Sequence, residues 1–446
     1  GLLSLNTDFA ETEVDTRRVN LTRFPLFFPE KRTFFLEGSD IYEFGLGMGF
    51  YHHMDLVPFF SRHIGLVEGE VVPLDVSVKA TGGVSRFNFG VLDVVTRPVN
   101  ELAPRTNILA ARGYQNIWQE SKLGFIVTAG DPLGRSGSYQ MGADFVYKTS
   151  HFQGDKNFLL GAWGLVTDRE DLGSDRTAFG VAVDFPNDLW DISFNAKRIG
   201  ADFDPSLGFV PWRGVYKARF DLAYKPRPDL SWLRQIVYEW FSSAVWDVNG
   251  QIYKWGIFTA PINWHLESGD RVEINIFPNY ERIPERFDLT DEVYIEAGEY
   301  NWIRYRLELQ SASKRKVSAK ISWWFGSWYD GKMDQIQVAA NWRPSHHVNL
   351  AIEGERDLVR VVSGNDDIQL VRARMDFFIT PSFQLLNYVQ YDNQTESLGL
   401  NCRLRWTYRS LFDVFVVYNR NWFDMENRWM ADLNQFLIKI QYSWRH

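Results

Sequence analysis

The sequence predicts an all-β fold: a transmembrane antiparallel up-and-down β-barrel of about 22 strands, preceded by an N-terminal plug-like segment. Three observations predict it. Apolar and polar residues alternate with a period of two over most of the chain. The alternating runs are longer than the strands of water-soluble sheets. The aromatic content is high, yet no stretch is apolar enough for a membrane helix.

The period of two belongs to strands, whose successive side chains point to opposite faces. Trp190, Ile192, Phe194 and Ala196 interleave with Asp191, Ser193, Asn195 and Lys197. Val272, Ile274 and Ile276 interleave with Arg271, Glu273 and Asn275. Ile303, Tyr305, Leu307 and Leu309 alternate with Arg304, Arg306, Glu308 and Gln310, and Val371, Ala373, Met375 and Phe377 with Arg372, Arg374 and Asp376. Leu398, Leu400, Cys402, Leu404 and Trp406 oppose Asn401, Arg403, Arg405 and Thr407, and the final run sets Phe436, Ile438, Ile440, Tyr442 and Trp444 against Gln435, Lys439, Gln441, Ser443 and Arg445. Such runs last about 10 to 14 residues, against about 5 to 6 for globular strands. A tilted strand needs roughly 9 to 11 residues to cross a bilayer.

Eighteen Trp, 19 Tyr and 34 Phe make the chain 16% aromatic. Rings with a polar tip suit the headgroup boundary of a membrane. Mean hydropathy is −0.28, and no run approaches the roughly 18 apolar residues of a helical span. A barrel escapes that test, because only every second residue need be apolar.

The strands are expected to begin with Pro58 to Gly65 and to end with Asn434 to His446. Short turns are expected at Thr81-Gly82-Gly83, Pro186-Asn187-Asp188, Glu267 to Asp270, Pro344-Ser345-His346, Thr380-Pro381-Ser382 and Arg409-Ser410. Long connections are expected at Arg97 to Thr106, Ala201 to Val210, Ile283 to Glu299 and Asn421 to Asp432. Short periplasmic turns alternating with long external loops are the pattern of outer-membrane barrels. The barrel is thus expected over residues 51–446, with both chain ends in the periplasm.

Residues 1–50 follow another logic, with dense charge and the aromatic knot Phe24 to Gly38. A barrel this wide has a lumen that transporters usually plug, so the segment reads as inserted into the lumen or covering its mouth. A periplasmic linker to an upstream domain is the alternative. The start Gly1-Leu2-Leu3-Ser4 carries neither a charged leader nor a cleavage pattern, so an export signal is expected upstream or already removed.

Charge and cysteine content narrow the function. The net charge of −8 is scattered, which argues against nucleic-acid binding. Cys402, the single cysteine, excludes an internal disulfide framework and a multi-cysteine zinc site. Glu353 with Glu355, and Asp366 with Asp367, resemble glycosidase carboxylates in type only, since residues two apart on a strand merely share an already polar face. The histidines His52-His53, His63 and His346-His347 lack metal-ligand spacing and read as surface or turn residues. Asn365 to Asp367 and Asp288 to Glu292 lack an EF-hand pattern and read as solvated loop charge. Gly82-Gly83 reads as a tight turn, and no phosphate loop or nucleophile motif appears. We therefore expect no enzyme, no cofactor and no metal.

Glu30, Lys31, Arg32 and Glu37 are expected to pair with lumen-wall residues Arg304, Arg306, Glu308, Arg372, Arg374, Arg403 and Arg405, because unpaired buried charge is costly. Such pairs brace or gate the segment. A polar lumen wall is the default of these barrels, so the arginine ladder alone is no anion filter.

The blocks Asn6 to Asp15, Val19 to Phe24, Phe28-Pro29-Glu30-Lys31-Arg32 to Glu37-Gly38, and Pro58-Phe59-Phe60-Ser61-Arg62-His63-Ile64-Gly65 resemble an uncharacterised bacterial outer-membrane β-barrel family. Its members join an N-terminal family 9-like carbohydrate-binding domain to a barrel of unknown function. The terminal strand fits that family's ending, though it closes on Arg445-His446 and not on an aromatic residue. The resemblance implies a barrel in the bacterial outer membrane and hints at saccharides; the carbohydrate-binding domain does not lie within these residues. It assigns no catalytic residue.

The expected function is an outer-membrane channel or transporter for a polar solute, a saccharide or peptide, gated or occluded by the N-terminal segment. The alternative is a non-conducting scaffold that anchors a periplasmic or cell-surface protein partner. In both, outer-membrane lipid surrounds the wall.

Overall fold

The computed structural model describes residues 1–7, 15–48, 56–410, 412–425 and 428–442. Among these, one antiparallel sheet of 23 strands dominates, against about 22 expected. Helical structure is confined to single turns such as Thr33–Leu36 and Ser61–His63.

From Leu74–Val84 to Arg428–Tyr442 most strands pair with their chain neighbours, as in a meander. Most are long, from the nine residues of Ser121–Ala129 to the 17 of Gly364–Thr380. Arg271–Ile283 and Gly298–Gln310 stay in unbroken register from Arg271 opposite Gln310 to Ile283 opposite Gly298. The strand Leu2–Thr7 pairs with Leu74–Val84, placing Leu3 opposite Val78.

The burial pattern is the reverse of a soluble sheet. In Gly298–Gln310, Arg304 and Glu308 are 5% and 2% exposed, while Ile303, Leu307 and Leu309 are 41%, 37% and 46% exposed. Other strands repeat this at many positions: Lys79, Arg112, Asp144 and Lys197 are buried, and Val78, Leu123, Phe125, Met141 and Val181 are exposed. Water around the exposed face would penalise this arrangement, whereas hydrocarbon would not.

The chain forms two compact units. The first holds residues 24–223 and 241–255 with the strand Leu2–Thr7, and the second holds 15–23, 224–240 and 256–446. In the first unit the buried face is not wholly polar. Leu92, Val94, Ile108 and Ala110 pack with Phe35 and Ile64, and Ile126, Trp163 and Leu165 with Phe44 and Met48. The apolar wall residues lie where the N-terminal segment covers them.

Several expected boundaries need correction. Pro58 to Gly65 is not a strand, because the Ser61 and Ile64 carbonyls are taken by the Arg32 guanidinium, and Ser61–His63 closes into a tight helical turn. The long strands begin at Leu74 instead. Thr81-Gly82-Gly83 lies inside Leu74–Val84, and the turn is Ser85-Arg86, with Ser85 in the left-handed region at φ 57°. Gly82 serves the strand by leaving room for the Phe89 ring, 3.3 Å from where a Cβ would stand. The long connection expected at Asn421 to Asp432 is absent, since Phe412–Met425 and Arg428–Tyr442 extend through it.

Long connections do occur at 97–106, 130–138, 169–176, 200–214 and 284–297. An unexpectedly long one, 225–237, sits at the opposite strand ends, and beyond residue 317 the hairpins are short at both ends. His52-His53 and Ser443 to His446 lie outside the described residues.

Candidate functional site

The N-terminal residues form a strap on the buried face of the sheet. In the first unit Phe34 to Met48 runs across eight successive strands, from Leu74–Val84 to Trp190–Ile199. Chain so placed has no ladder partners, and its carbonyls need donors. Three wall cations supply them. Lys79 Nζ donates to the Phe34 and Phe35 carbonyls, both at 3.0 Å. Arg112 Nε donates to the Glu43 carbonyl at 3.1 Å. Lys197 Nζ donates to the carbonyls of Gly47 and Met48 at 2.8 and 2.9 Å.

The acceptor side of the wall contributes Asp144, whose Oδ2 accepts from the Gly45 backbone N–H at 3.0 Å. Asp144 is itself gripped by Arg112 through contacts of 2.7 and 2.9 Å. Hydrogen bonds to charged groups contribute about 1.5–3 kcal/mol each, so the strap is held firmly yet without a covalent or ladder bond.

Close approach depends on glycines. A Cβ on wall residue Gly90 would stand 2.5 Å from Ile41 Cγ2, and one on Gly161 2.4 Å from Leu46 Cβ. On the strap, a Cβ on Gly47 would stand 2.6 Å from Ala182 Cβ.

In the second unit residues 15–23 make a comparable crossing. Arg17 Nη1 meets Asp392 Oδ2 at 2.8 Å and the Ser397 carbonyl at 2.6 Å, and its backbone N–H donates to Gln390 Oε1 at 3.0 Å. Val19 and Leu21 pack on a cluster that includes Ile283, Trp302 and Trp328. Arg23 ends the crossing 3.4 Å from Glu281.

The charged group Glu30 to Glu37 is organised around an internal ion pair. Glu30 and Arg32 bond to each other: Arg32 Nη2 lies 2.7 Å from Glu30 Oε2, and Arg32 Nε 2.9 Å from Glu30 Oε1. Ser61 Oγ donates to Glu30 Oε2 at 2.8 Å, while Arg32 donates to the carbonyls of Ile64 and Ser61 at 2.6 and 2.9 Å. Arg32, 1% exposed, also lies 4.0 Å over the Phe35 ring. Burial pushes the Glu30 carboxyl up, but the hydrogen bonds and charge of Arg32 outweigh it and hold the group below its ordinary range. The backbone N–H of Lys31 also donates to Glu30, and that of Glu37 closes the Thr33–Leu36 turn.

The predicted wall residues find partners on the wall. Arg306 pairs with Glu273 at 2.6 Å and Glu308 at 3.3 Å, and Arg372 with Glu353 at 3.4 Å. Arg405 pairs with Asp413 at 3.3 Å, Arg304 donates to the Met333 carbonyl, and Arg374 lies over Tyr388. Arg403 is half-buried on the same face phase. Sequence reasoning missed Arg17, Lys79, Arg112 and Asp144; for the last three the signal was a charge in the buried phase of a strand, and Arg17, in irregular chain, carried none.

Beyond the strap, residues 56–72 meet the long connections. Val57 and Phe209 exchange backbone hydrogen bonds of 2.9 and 2.8 Å, and Gln140 donates to the Pro58 carbonyl at 3.0 Å. A cavity of about 330 Å³ opens there, lined by Pro25, His63, Arg135, Asp204, Phe209 and Arg213 among others. Burial lowers the His63 imidazole, partly offset by the Ser206 backbone and by Asp204.

Residues 3–67 match the family described as Domain of unknown function (DUF5916), a span that contains Glu30, Arg32 and Ser61. No curated protein matches the chain. Among solved structures the chain is similar to a mutant ferric enterobactin receptor of Pseudomonas aeruginosa in complex with enterobactin, with 9% identity and a TM-score of 0.38, over 83% of this chain and 70% of that one. It is also similar to the ferric enterobactin receptor in another ligand complex, with 9% identity and a TM-score of 0.37, over 85% of this chain and 70% of that one.

Proposed function

We propose that this chain is a bacterial outer-membrane β-barrel that passes a polar solute, with the N-terminal strap as its gate or plug. The observation that carries the reading is the strap itself: Phe34 to Met48 lies across the buried face of the wall on side-chain hydrogen bonds and apolar packing, not on strand pairing. A segment held that way can leave without unzipping the sheet. Saccharides and peptides are the solute classes that suit a wall of paired charges such as Arg306 with Glu273.

The membrane setting rests on the exposed apolar face and on exposed rings near the short turns. Trp118, Phe152 and Trp190 stand there in the first unit, and Trp232, Trp342, Trp406 and Tyr408 in the second. Such rings prefer the headgroup boundary.

The test is single-channel conductance in planar bilayers. In a Cys402→Ser background, Ile41→Cys with Gly90→Cys ties the strap to the wall. Conductance is expected to be low when oxidised and to rise on reduction, and deletion of residues 1–50 is expected to leave an open pore. A deletion variant as silent as the full chain overturns the channel reading in favour of the non-conducting scaffold.

A further inference from the structure

Four neighbouring connections at the short-turn ends of the second unit's strands are 225–237, 267–270, 311–316 and 346–347. Hydrogen bonds join the first three into one rim and tie the third to Arg343, at the end of the strand that leads into the fourth. The Glu267 backbone N–H donates to the Trp232 carbonyl at 3.0 Å. Asp270 Oδ1 accepts from the Ala312 backbone N–H at 2.9 Å and lies 2.7 Å from Arg315 Nη1. The Arg343 backbone N–H donates to the Lys316 carbonyl at 2.7 Å, and its guanidinium to the Ser313 carbonyl.

The rim is basic. Arg227, Arg234, Lys314, Arg315, Lys316 and Arg343 are all exposed on it, against the exposed acids Asp229 and Glu267. Loop 284–297, at the opposite ends of the strands, is acidic, with Glu285, Asp288, Asp291, Glu292 and Glu296 against the single Arg286. Scattered solvation charge would not separate the signs this way. Trp232 and Trp342, each 50% exposed, flank the cations. An apolar ring beside a cation suits the plane where acyl chain gives way to phosphate.

We propose that this rim seats the anionic phosphate headgroups of phospholipids in the leaflet that borders the short turns. The inference rests on the membrane-spanning reading above. On it, Trp232 and Trp342 enter the interface while Lys314, Lys316 and Arg234 reach the phosphates. Arg315 and Arg343 hold the turns together. The acidic loop end repels the same headgroups, so lipid charge also favours one orientation of the wall.

The test titrates the full chain in detergent with phosphatidylglycerol or phosphatidylcholine and counts bound lipids by native mass spectrometry. The parent is expected to prefer phosphatidylglycerol, and Arg234→Gln, Lys314→Gln and Lys316→Gln each to weaken that binding about fivefold. Lys314→Arg with Lys316→Arg is expected to retain it, which separates lost charge from lost fold. Equal binding of the two lipids overturns the inference, as does displacement of phosphatidylglycerol by millimolar inorganic phosphate, which would mark a site for the free anion. Insertion into phosphatidylcholine nanodiscs is scored separately: a chain that enters no bilayer sinks the membrane reading, whereas one that inserts without lipid preference sinks only this inference.

Discussion

Arg112 and Asp144 clasp each other across an intervening strand, directly over Gly124, with two contacts of 2.7 and 2.9 Å and no exposed side-chain surface. A Cβ on Gly124 would stand 2.4 Å from Arg112 Nη1 and 2.8 Å from Asp144 Oδ1, so the glycine is a condition of the pair. Asp144 then offers its second role, accepting from Gly45 of the strap. The pair thus links wall geometry to strap position.

Removing one partner leaves the other as an uncompensated buried charge. Asp144→Asn is therefore expected to destabilise the fold by about 3–5 kcal/mol, whereas Arg112→Met with Asp144→Leu restores most of it. Gly124→Ala is expected to behave like Asp144→Asn. Denaturant midpoints of the refolded protein check this, and an Asp144→Asn variant as stable as the parent would refute the linkage.

Lys79 and Lys197 each donate to two carbonyls of the strap. Replacing either with Met keeps the stem and deletes the donor. Each loss is expected to weaken strap retention by about 1.5–3 kcal/mol. Limited proteolysis is expected to cut within residues 33–48 faster, and open-channel events to become more frequent. Unchanged cleavage in the double variant would mean that the bonds from Arg112 and Asp144 and the apolar contacts of Phe35, Phe44 and Met48 suffice to hold the strap.

The wall was legible because a period of two is local: Arg304 and Glu308 face inward for the same reason that Ile303 and Leu307 face outward, and neither depends on distant residues. The strap's route was not legible. Which wall cation meets which strap carbonyl depends on pairings such as Lys79 with Phe34, 45 residues apart, and backbone carbonyls carry no sequence signature. Gly82-Gly83 misled because paired glycines usually mark a turn, while here Phe89 fills the space beside Gly82. Glu30 and Arg32 were recognised as a charged group, but their partner Ser61 lay in a segment read as strand.

Gly90 offers a steric test of the strap's seat. Gly90→Ala places its methyl 2.5 Å from Ile41 Cγ2, and the overpacking is expected to cost about 1–3 kcal/mol. Adding Ile41→Ala removes the clash and is expected to recover much of the loss. Non-additivity in a double-mutant cycle measures that contact. Strict additivity would show that Ile41 does not rest on Gly90.

Asp270 sets how the basic rim responds to acid. Arg315, Ser268 Oγ at 2.7 Å and the Ala312 N–H bring its carboxyl down from 3.8 to about 2. A carboxyl lowered in the folded state contributes stability that is complete above its ordinary value and lost as pH falls through the lowered one. The link between turns 267–270 and 311–316 is therefore expected to hold unchanged down to about pH 4 and to weaken from there to about pH 2. Protection of the Ala312 amide from hydrogen exchange, taken relative to the intrinsic rate at each pH, reads this directly and falls across that window in the parent. In Asp270→Asn protection is expected to be low and nearly flat with pH. A parent whose Ala312 amide opens already near pH 5 would show that Asp270 is not held by Arg315, and the rim would then lack the brace that keeps its cations together.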